Sequence, residues 1–293
     1  MTIVVPWSAG GAVDIVARLF QSGLEQSLGQ PVIIENRPGA TGTIGHASVA
    51  RAEPDGYTIT LATNSTYAIA GNFLPSLPYD HEADFAPIAM LAASPLLLAS
   101  TPGNDLSSVA DVIAVAGAEP GRLAFASGGI GTTSHLAMEL FMALAGIDMV
   151  HVPYQGGAPA ATAVAGGEVD IAFLDLGASL QFIEGGQLNA VAVGSPERSS
   201  KLPDVPTIME SGLEGFRSTT TFALYAPAAT PQPVIDRLHE AVATAAQQDS
   251  VREGLQKIGV VIDVSTPEEL RQSAMDETRQ WRELIAERGI EDN

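Results

Sequence analysis

The chain opens with an apolar run that stops at Pro6 and leads through a loop of small residues into an amphipathic helix. The stretch reads VVPWSAGGAVDIVAR, residues 4–18, with apolar residues at helical spacing from Val13 onward. Glycines let a backbone approach a ligand closely, and the first turn of a helix carries N–H groups without helical partners. Those groups and the helix dipole favour negative charge. A strand, a glycine loop and a helix over residues 12–28 therefore predict an anion-binding segment, the first loop.

The same order of elements recurs at FASGGIGTTSHL, residues 125–136, where a strand-like run leads into a second glycine loop and a helix over 133–145. Two such loops far apart in the chain suggest two halves that close on one small ligand. Four stretches that we expect near the ligand contain no lysine or arginine: residues 6–13, 63–67, 127–135 and 153–158. An anion held there would be bound by backbone N–H groups, hydroxyls and water.

Composition excludes several classes of function. The net charge of −20 disfavours nucleic-acid binding, which needs positive charge against phosphates. Lys201 and Lys257 are the only lysines, so no polybasic membrane patch is expected. The chain has no cysteine, which rules out disulfides and zinc–thiolate sites. No segment resembles a signal peptide, so we expect any export signal to be absent from this sequence.

Strand-like and helix-like segments alternate, which predicts an α/β fold with mainly parallel sheets flanked by helices. In such folds ligands bind at the carboxyl ends of strands. A strand over 57–62 is expected to end in a polar loop, Thr63–Thr66, and two further strands are expected at 88–91 and 95–100. A final helix is expected to begin at Thr266-Pro267 and to run to about residue 288.

The length of 293 residues fits two domains. The C-terminal helices need a sheet to cover, and the first part of the chain offers one. We therefore predict a discontinuous domain of residues 1–100 and 225–293, and an inserted domain of residues 101–224. The chain would cross between them near 97–102 and 219–226, which would form a hinge beside a cleft.

The motifs resemble those of the substrate-binding receptors of tripartite tricarboxylate transporters, the Bug family. The resemblance covers essentially the whole chain and rests on six motifs in order: VVPWSAGGAVDIVAR, ENRPGATGTIG, PDGYTITLAT, ASGGIGTTSHL, HVPYQGGAPA and LPDVPTIMESG. It implies a two-lobed periplasmic binding protein of type II, a Venus flytrap. It also implies a monomer that holds a small organic carboxylate, without a cofactor, and delivers it to membrane permease subunits.

The resemblance also implies ligand-binding positions, at which the carboxylate is bridged through ordered water to both glycine loops. In the first loop these are Ser8, Ala9, Gly10, Gly11 and Asp14. In the second they are Ser127, Gly128, Gly131, Thr132, Thr133 and His135. Other walls of the pocket match Thr63, Asn64, Ser65, Tyr154, Gly156 and Asp175. Dicarboxylates, aromatic acids, amino acids and tricarboxylates all remain open as ligands.

Three departures from the family pattern bear on this expectation. Trp7 replaces the usual Phe and could stack on a ligand or cover the hinge. Phe173-Leu174-Asp175 stands where the family has Phe-Asp-Asn, and Gly177 replaces Pro or Ala. Asp175 could face the ligand, where it would favour an amine or hydroxyl over a second carboxylate, or cap the helix that follows. Asp14 has the same two interpretations.

Other functions find little support in the sequence. His135 with Ser127 or Ser134 lacks the G-x-S-x-G turn of a hydrolase, so we expect a structural or ligand-orienting hydrogen bond from it. The second loop half-matches a dinucleotide-binding loop but lacks its third glycine. The remaining histidines are scattered, so no metal site is expected. A ligand-sensing or cofactor-binding α/β protein is the alternative to a receptor.

Overall fold

A computed structural model describes residues 1–74 and 76–288, the last of these in its backbone only. Strands and helices alternate along this part of the chain. The strands are β1 (Thr2–Val5), β2 (Ile33–Asn36), β3 (Thr58–Thr63), β4 (Phe85–Ser100), β5 (Ala124–Ser127), β6 (Val150–Pro153), β7 (Ile171–Asp175), β8 (Asn189–Val193), β9 (Thr219–Pro227) and β10 (Val261–Ile262). The helices are α1 (Ala12–Leu28), α2 (Thr43–Ala50), α3 (Ala70–Phe73), α4 (His81–Asp84), α5 (Val109–Ala118), α6 (Thr133–Ala145), α7 (Gly157–Ala165), α8 (Leu176–Glu184), α9 (Gln232–Ala246), α10 (Asp249–Lys257) and α11 (Pro267–Arg288).

The chain divides into two compact units. The first comprises Met1–Ala93 and Thr221–Asn293, and the second comprises Ser94–Thr220. Strand β4 begins in the first unit and ends in the second, and β9 leads back. The predicted hinge and the motion about it stay predictions.

In the first unit the strands lie in the order β2-β1-β3-β9-β4-β10. The β2-β1-β3 part is parallel, whereas β9 pairs with β3, and β10 with β4, in antiparallel register. In the second unit β6-β5-β7 are parallel, and β4 lies antiparallel between β7 and β8. The predicted α/β class is confirmed. Each parallel part places strand ends followed by a loop and a helix at one edge, as the predicted sites require.

The helix boundaries follow local sequence signals. Helix α1 covers the predicted residues 12–28 and ends at Gly29, which adopts a left-handed conformation, φ 67°. The predicted helix over 133–145 is confirmed as α6. At the start of α11, Glu269 N–H donates to the Thr266 hydroxyl, and Thr266 N–H donates back to the Glu269 carboxylate. This reciprocal pair is a capping box. No helix in the described residues has the length and hydropathy of a membrane span.

Two predicted boundaries are wrong. The strands expected at 88–91 and 95–100 form one strand, β4, which continues through Pro95. Pro95 has no N–H to offer a ladder, but it lies where β4 changes partners: Ala93 pairs with β10, and Leu96 pairs with β7.

The polar stretch Thr63–Thr66 is not a surface loop. Thr63 ends β3, and a π-helical turn begins at Ser65 and runs to Ile69. All four residues of the predicted loop are buried. The Thr66 hydroxyl donates to the Thr63 carbonyl at 3.0 Å, so local hydrogen bonds allow polar residues inside the unit.

Helix α2 lies directly against the start of the first loop through Gly45. A Cβ atom added to Gly45 would lie 2.5 Å from the Arg37 carbonyl oxygen and 2.8 Å from Pro6 Cα. Both neighbours are backbone atoms, which cannot move away as a flexible side chain can. The glycine therefore fixes how closely α2 approaches the end of β1.

We expect Gly45→Ala to lower the free energy of unfolding by about 1–3 kcal/mol, because the added methyl group must displace backbone. Gly117→Ala in α5 is the matched control, since a Cβ there meets nothing closer than 4.0 Å. Replacing this helical glycine is expected to raise stability by about 0.5–1 kcal/mol. Denaturant unfolding of both variants measures the effect, and equal stability of the two would contradict the close packing of α2.

Candidate functional site

The first loop lies between β1 and α1 and leaves unpaired donors at the helix start. Gly11, Ala12 and Val13 are buried. Within the described residues, no atom accepts a hydrogen bond from their backbone N–H groups. Ser8, Ala9 and Gly10 form the more exposed part of the loop. A buried N–H group without a partner costs stability until something accepts from it.

Asp14 holds this loop in shape. Its Oδ2 atom accepts from the Gly10 N–H at 3.0 Å and from Arg18 Nε at 2.9 Å. Burial alone would raise the pKa of Asp14, but these hydrogen bonds together lower it. The N–H of Gly10 is therefore used inside the loop, and ligand binding at Gly10 stays a prediction. A direct contact between Asp14 and a ligand stays a prediction.

The Trp7 ring packs inside the first unit. A Cβ atom at Gly42, where φ is +83°, would lie 3.0 Å from Trp7 Cζ2 and 2.9 Å from Thr66 Cγ2. The Asn36 amide donates to the Trp7 carbonyl at 3.1 Å. The indole Nε1–H is buried and unpartnered in the described structure. Stacking of Trp7 on a ligand stays a prediction.

At the end of β3, one buried hydroxyl has no hydrogen-bond partner in the described residues, and one side-chain amide is hydrogen-bonded to α11. Thr63 Oγ1 is buried and has no hydrogen-bond partner in the described residues. The Asn64 amide donates to Glu277 Oε1 at 2.6 Å, so this contact holds α11. Ser65 begins the buried π-helical turn. Of the three predicted residues here, Thr63 is the one with an unused polar atom.

The second loop satisfies much of its own hydrogen bonding. Gly128 N–H donates to Ser134 Oγ at 3.0 Å, Gly131 N–H to His135 Nδ1 at 3.1 Å, and Thr132 N–H to the Gly129 carbonyl at 3.2 Å. These N–H groups are therefore used inside the loop, and ligand binding at Gly128, Gly131 and Thr132 stays a prediction. Short polar side chains and a histidine in the loop provide the acceptors.

The second loop still has donors at two neighbouring helix starts. Thr132 caps α6, whose first residue is the buried Thr133, and the Ser134 N–H has no acceptor in the described structure. Gly156 N–H donates to the Gly128 carbonyl at 3.0 Å, which places the start of α7 beside the loop. Tyr154 instead directs its hydroxyl to Glu168 at 3.4 Å.

Three stacked rings pack beside the second loop. Phe125, His151 and His135 lie parallel, with ring centroids 4.7 Å apart for the first pair and 4.1 Å for the second. Ser127 Oγ and His151 Nε2 are 2.6 Å apart. Burial, and then the neighbouring His135, lower the pKa of His151 to about 3. His151 is therefore neutral at physiological pH.

The Ser127–His151 pair was missed by sequence reasoning, which treated His151 as scattered. The available signal was strand order, because β5 and β6 are adjacent and pair Phe125 with His151. Ser127 is fully buried, and its hydroxyl also accepts from the Gly129 N–H at 3.1 Å. The pair therefore fixes the loop and does not present a nucleophile.

Asp175 is a buried acid of the second unit with one carboxylate oxygen unused in the described residues. It occupies the N-cap position of α8 but makes no capping hydrogen bond, so the capping interpretation is wrong. The carboxylate points towards α7 instead: a Cβ at Gly157 would lie 3.9 Å from Asp175 Oδ2. Oδ1 is buried without a partner in the described residues. Burial raises the pKa of Asp175 to about 6, against a hydrogen bond from Thr220 that lowers it.

The described residues contain no group of three or more histidine, aspartate or glutamate side chains that could hold a metal ion. The candidate groups of the first unit are a helix start, the Thr63 hydroxyl and Asp14, and those of the second unit are helix starts, hydroxyls and Asp175. Such an arrangement can bind an anionic or hydrogen-bonding small molecule.

Comparisons with known proteins agree with this chemistry. The family model described as "Tripartite tricarboxylate transporter family receptor" matches residues 16–290. Protein BugT of Bordetella pertussis is 35% identical over 288 residues, which are 98% of this chain and 88% of that protein.

Solved structures are similar over nearly the whole chain. An R. palustris protein solved with adipate is 33% identical, with a TM-score of 0.96 over 99% of this chain and 97% of that one. MatC from Rhodopseudomonas palustris, solved with bound malate, is 32% identical, with a TM-score of 0.93 over 97% and 98% of the two chains. The resemblance seen in the motifs is confirmed, and the chain belongs to the tripartite tricarboxylate transporter receptor family.

Proposed function

We propose that this protein is a solute receptor that binds a small organic carboxylate through backbone N–H groups at the start of α1. The observation that carries the proposal is the set of buried N–H groups of Gly11, Ala12 and Val13, which have no acceptor in the described residues. A carboxylate can accept from such groups and gains further from the helix dipole. Arg18 of α1 is paired with Asp14.

Ligands of relatives support a carboxylate. The R. palustris protein was solved with adipate and MatC with malate, and both molecules are dicarboxylates. A hydrogen bond to a charged group contributes on the order of 1.5–3 kcal/mol. Three or four of them, less the ordering cost, reach roughly −8 kcal/mol, which is about micromolar affinity.

Asp175 is proposed to select the far end of the ligand. Its unpartnered Oδ1 accepts hydrogen bonds but repels a second carboxylate when it is ionised. The residue lies in the second unit with the second loop, and binding of one ligand by both loops stays a prediction. An amine, a hydroxyl or a protonated acid suits Asp175 best.

The cellular role follows from the family. We propose that the protein works in the periplasm as a monomer, passes its ligand to membrane permease subunits and catalyses no reaction. A similar solved structure, BugD, is described as a periplasmic binding protein. Its TM-score of 0.96 at 31% identity supports the same setting for this chain.

The first test removes one N–H from the start of α1. Ala12 occupies the first helical position, where proline is tolerated, and Gly11 before it is extended at φ −78° and ψ 170°, as a residue before proline must be. Ala12→Pro thus deletes a donor and keeps the helix. We expect binding of adipate or malate to weaken by about tenfold or more, measured by isothermal titration calorimetry, because a charge-assisted hydrogen bond is lost.

Asp249→Pro is the matched control, because Asp249 is the exposed first residue of α10. The affinity of this variant for adipate or malate is expected to equal that of the unmodified protein. Equal affinity of Ala12→Pro and Asp249→Pro would reject the α1 start as the binding site. A thermal-shift screen over organic acids first identifies a ligand, since a molecule that binds only the folded state raises the melting temperature.

The second test uses the titration of Asp175. Its pKa of about 6 in the folded protein lies above the usual 3.8, so the folded state loses stability relative to the unfolded state as pH rises between these values. We expect Asp175→Asn to remove this loss. The variant should gain up to about 3 kcal/mol over the unmodified protein at about pH 8 compared with about pH 4.

Denaturant unfolding at both pH values measures this gain. Asp148→Asn, a change at an exposed residue of the same unit, serves as the control, and the pH-dependent difference of Asp175→Asn should exceed that of this variant. A pH-independent difference for Asp175→Asn would mean that the carboxyl group titrates normally.

The third test concerns ligand choice. Adipate and 6-aminohexanoate have chains of the same length but end in a carboxylate and an amine. At about pH 8 we expect Asp175→Asn to raise the affinity for adipate relative to 6-aminohexanoate by about tenfold, because one close charge is removed. Calorimetric titration of both ligands gives the ratio, with Asp148→Asn as the control. An unchanged ratio would place Asp175 away from the ligand.

A further inference from the structure

A cavity of about 570 Å³ lies within the first unit, beside α11. Apart from Thr66, which ends the predicted polar loop, its lining contains none of the candidate ligand-binding residues. The volume lies within the range of small-molecule sites. The family resemblance and the proposed carboxylate site leave this cavity without a function.

Aromatic rings form one wall of the cavity. The rings of His81 and Phe85 are stacked, with centroids 5.3 Å apart. Tyr225 meets His81 edge-on at 4.6 Å, and Tyr67 lies 5.6 Å from Tyr225. Tyr79 contacts Phe85 edge-on at 5.8 Å. These rings are largely buried, so an aromatic ligand in the cavity would extend an existing aromatic cluster.

A buried hydroxyl in this wall has no partner. Tyr225 is 2% exposed, and its hydroxyl makes no hydrogen bond within the described residues. A buried polar atom without a partner costs stability, so an occupant that pairs with it would recover that cost. Burial raises the pKa of Tyr225 well above its usual value, so the hydroxyl remains protonated and can donate.

Two guanidinium groups from α11 line the same cavity. Arg271 has only a long ion pair, 3.8 Å, with Glu268, whose side chain is 86% exposed. Arg282 donates from Nε to Asn72 at 3.0 Å, and its terminal nitrogens have no acceptor in the described structure. Guanidinium groups bind carboxylates through paired hydrogen bonds.

The two acidic residues of the cavity lining, Asp80 and Glu82, do not neutralise the positive charges of the arginines. Asp80 accepts from the Ala83 N–H at 3.1 Å and caps α4. Glu82 on α4 is exposed. The arginines therefore remain available for an anion, and the aromatic wall for its apolar part.

We infer that this cavity is a second binding site, distinct from the α1 loop, for a small aromatic carboxylate. The ring of the ligand packs against Phe85, His81 and Tyr225, and the carboxylate pairs with Arg271 or Arg282. The Tyr225 hydroxyl donates to a ligand oxygen. The inference does not depend on the proposed function of the first loop.

The experiment titrates the full chain with 2-naphthoate and, as the uncharged match, with 2-naphthamide. Binding is followed by calorimetry and by saturation-transfer NMR. We expect 2-naphthoate to bind more tightly than the amide, and Arg271→Gln or Arg282→Gln to weaken it by about fivefold or more, whichever variant removes the charged partner of the carboxylate.

Arg279→Gln is the matched control, because Arg279 is an exposed residue of the same helix, is paired with Asp276 and is not part of the cavity lining. It should leave 2-naphthoate binding unchanged. Ala12→Pro should also leave it unchanged, whereas the arginine variants should leave adipate or malate binding unchanged.

Three results would overturn the inference. These are no 2-naphthoate binding at millimolar concentration, no greater effect of either Arg271→Gln or Arg282→Gln than of Arg279→Gln, or loss of binding in Ala12→Pro with retention in both Arg271→Gln and Arg282→Gln. The last result would assign the aromatic acid to the α1 loop. It would leave the proposed receptor function in place, so the two proposals fail separately.

Discussion

The candidate site depends on three backbone N–H groups that are buried at the start of α1 without an acceptor in the described residues. Neighbouring contacts hold the loop in a shape that leaves these N–H groups without an acceptor. Asp14 binds the N–H of Gly10, the Asn36 amide binds the Trp7 carbonyl, and Gly45 brings α2 against Pro6. Each fixes the loop without offering an acceptor to the helix start. A loop free to rearrange would satisfy its own N–H groups and lose its preference for an anion.

The second glycine loop uses the same kind of sequence differently. Its N–H groups at Gly128 and Gly131 are bound by Ser134 and His135, and neutral His151 supports Ser127 from the next strand. The loop is therefore rigid, with few free donors. A separate acceptor of the second unit is Asp175 Oδ1 at the end of β7, which has no partner in the described residues. The first unit therefore has unpaired N–H donors at the start of α1, and the second has an unpaired acceptor at the end of β7 within the described residues.

The sequence predicted the elements well where local signals were strong. Helix α1 has a glycine loop before it and Gly29 after it, and α11 has a capping box, so both were placed correctly. The family followed from six motifs in order. Prediction from the sequence failed where the hydrogen-bond or strand partners of a residue come from elsewhere in the chain. Two strands were predicted where β4 continues through Pro95. The strand changes partners at that point, and this change cannot be read from neighbours in sequence.

The same reason explains the errors within the site. A glycine loop shows that N–H groups can be free, but not whether a side chain several residues later will bind them, as His135 binds Gly131. Asp175 precedes a helix, which suggests a cap, yet its carboxylate turns to α7 across the sheet. His151 is paired with Ser127 only through the order of β5 and β6. These contacts depend on topology, and periodicity carries no information about them.

Helix α11 connects the aromatic cavity with the end of β3. Burial raises the pKa of Glu277 on this helix, and Asn64, Trp281 and Tyr67 oppose the shift by donating hydrogen bonds to its carboxylate. Tyr67 also lines the cavity, whereas Asn64 directly follows the last residue of β3. One carboxylate therefore joins a wall of the cavity to the strand end through two hydrogen bonds.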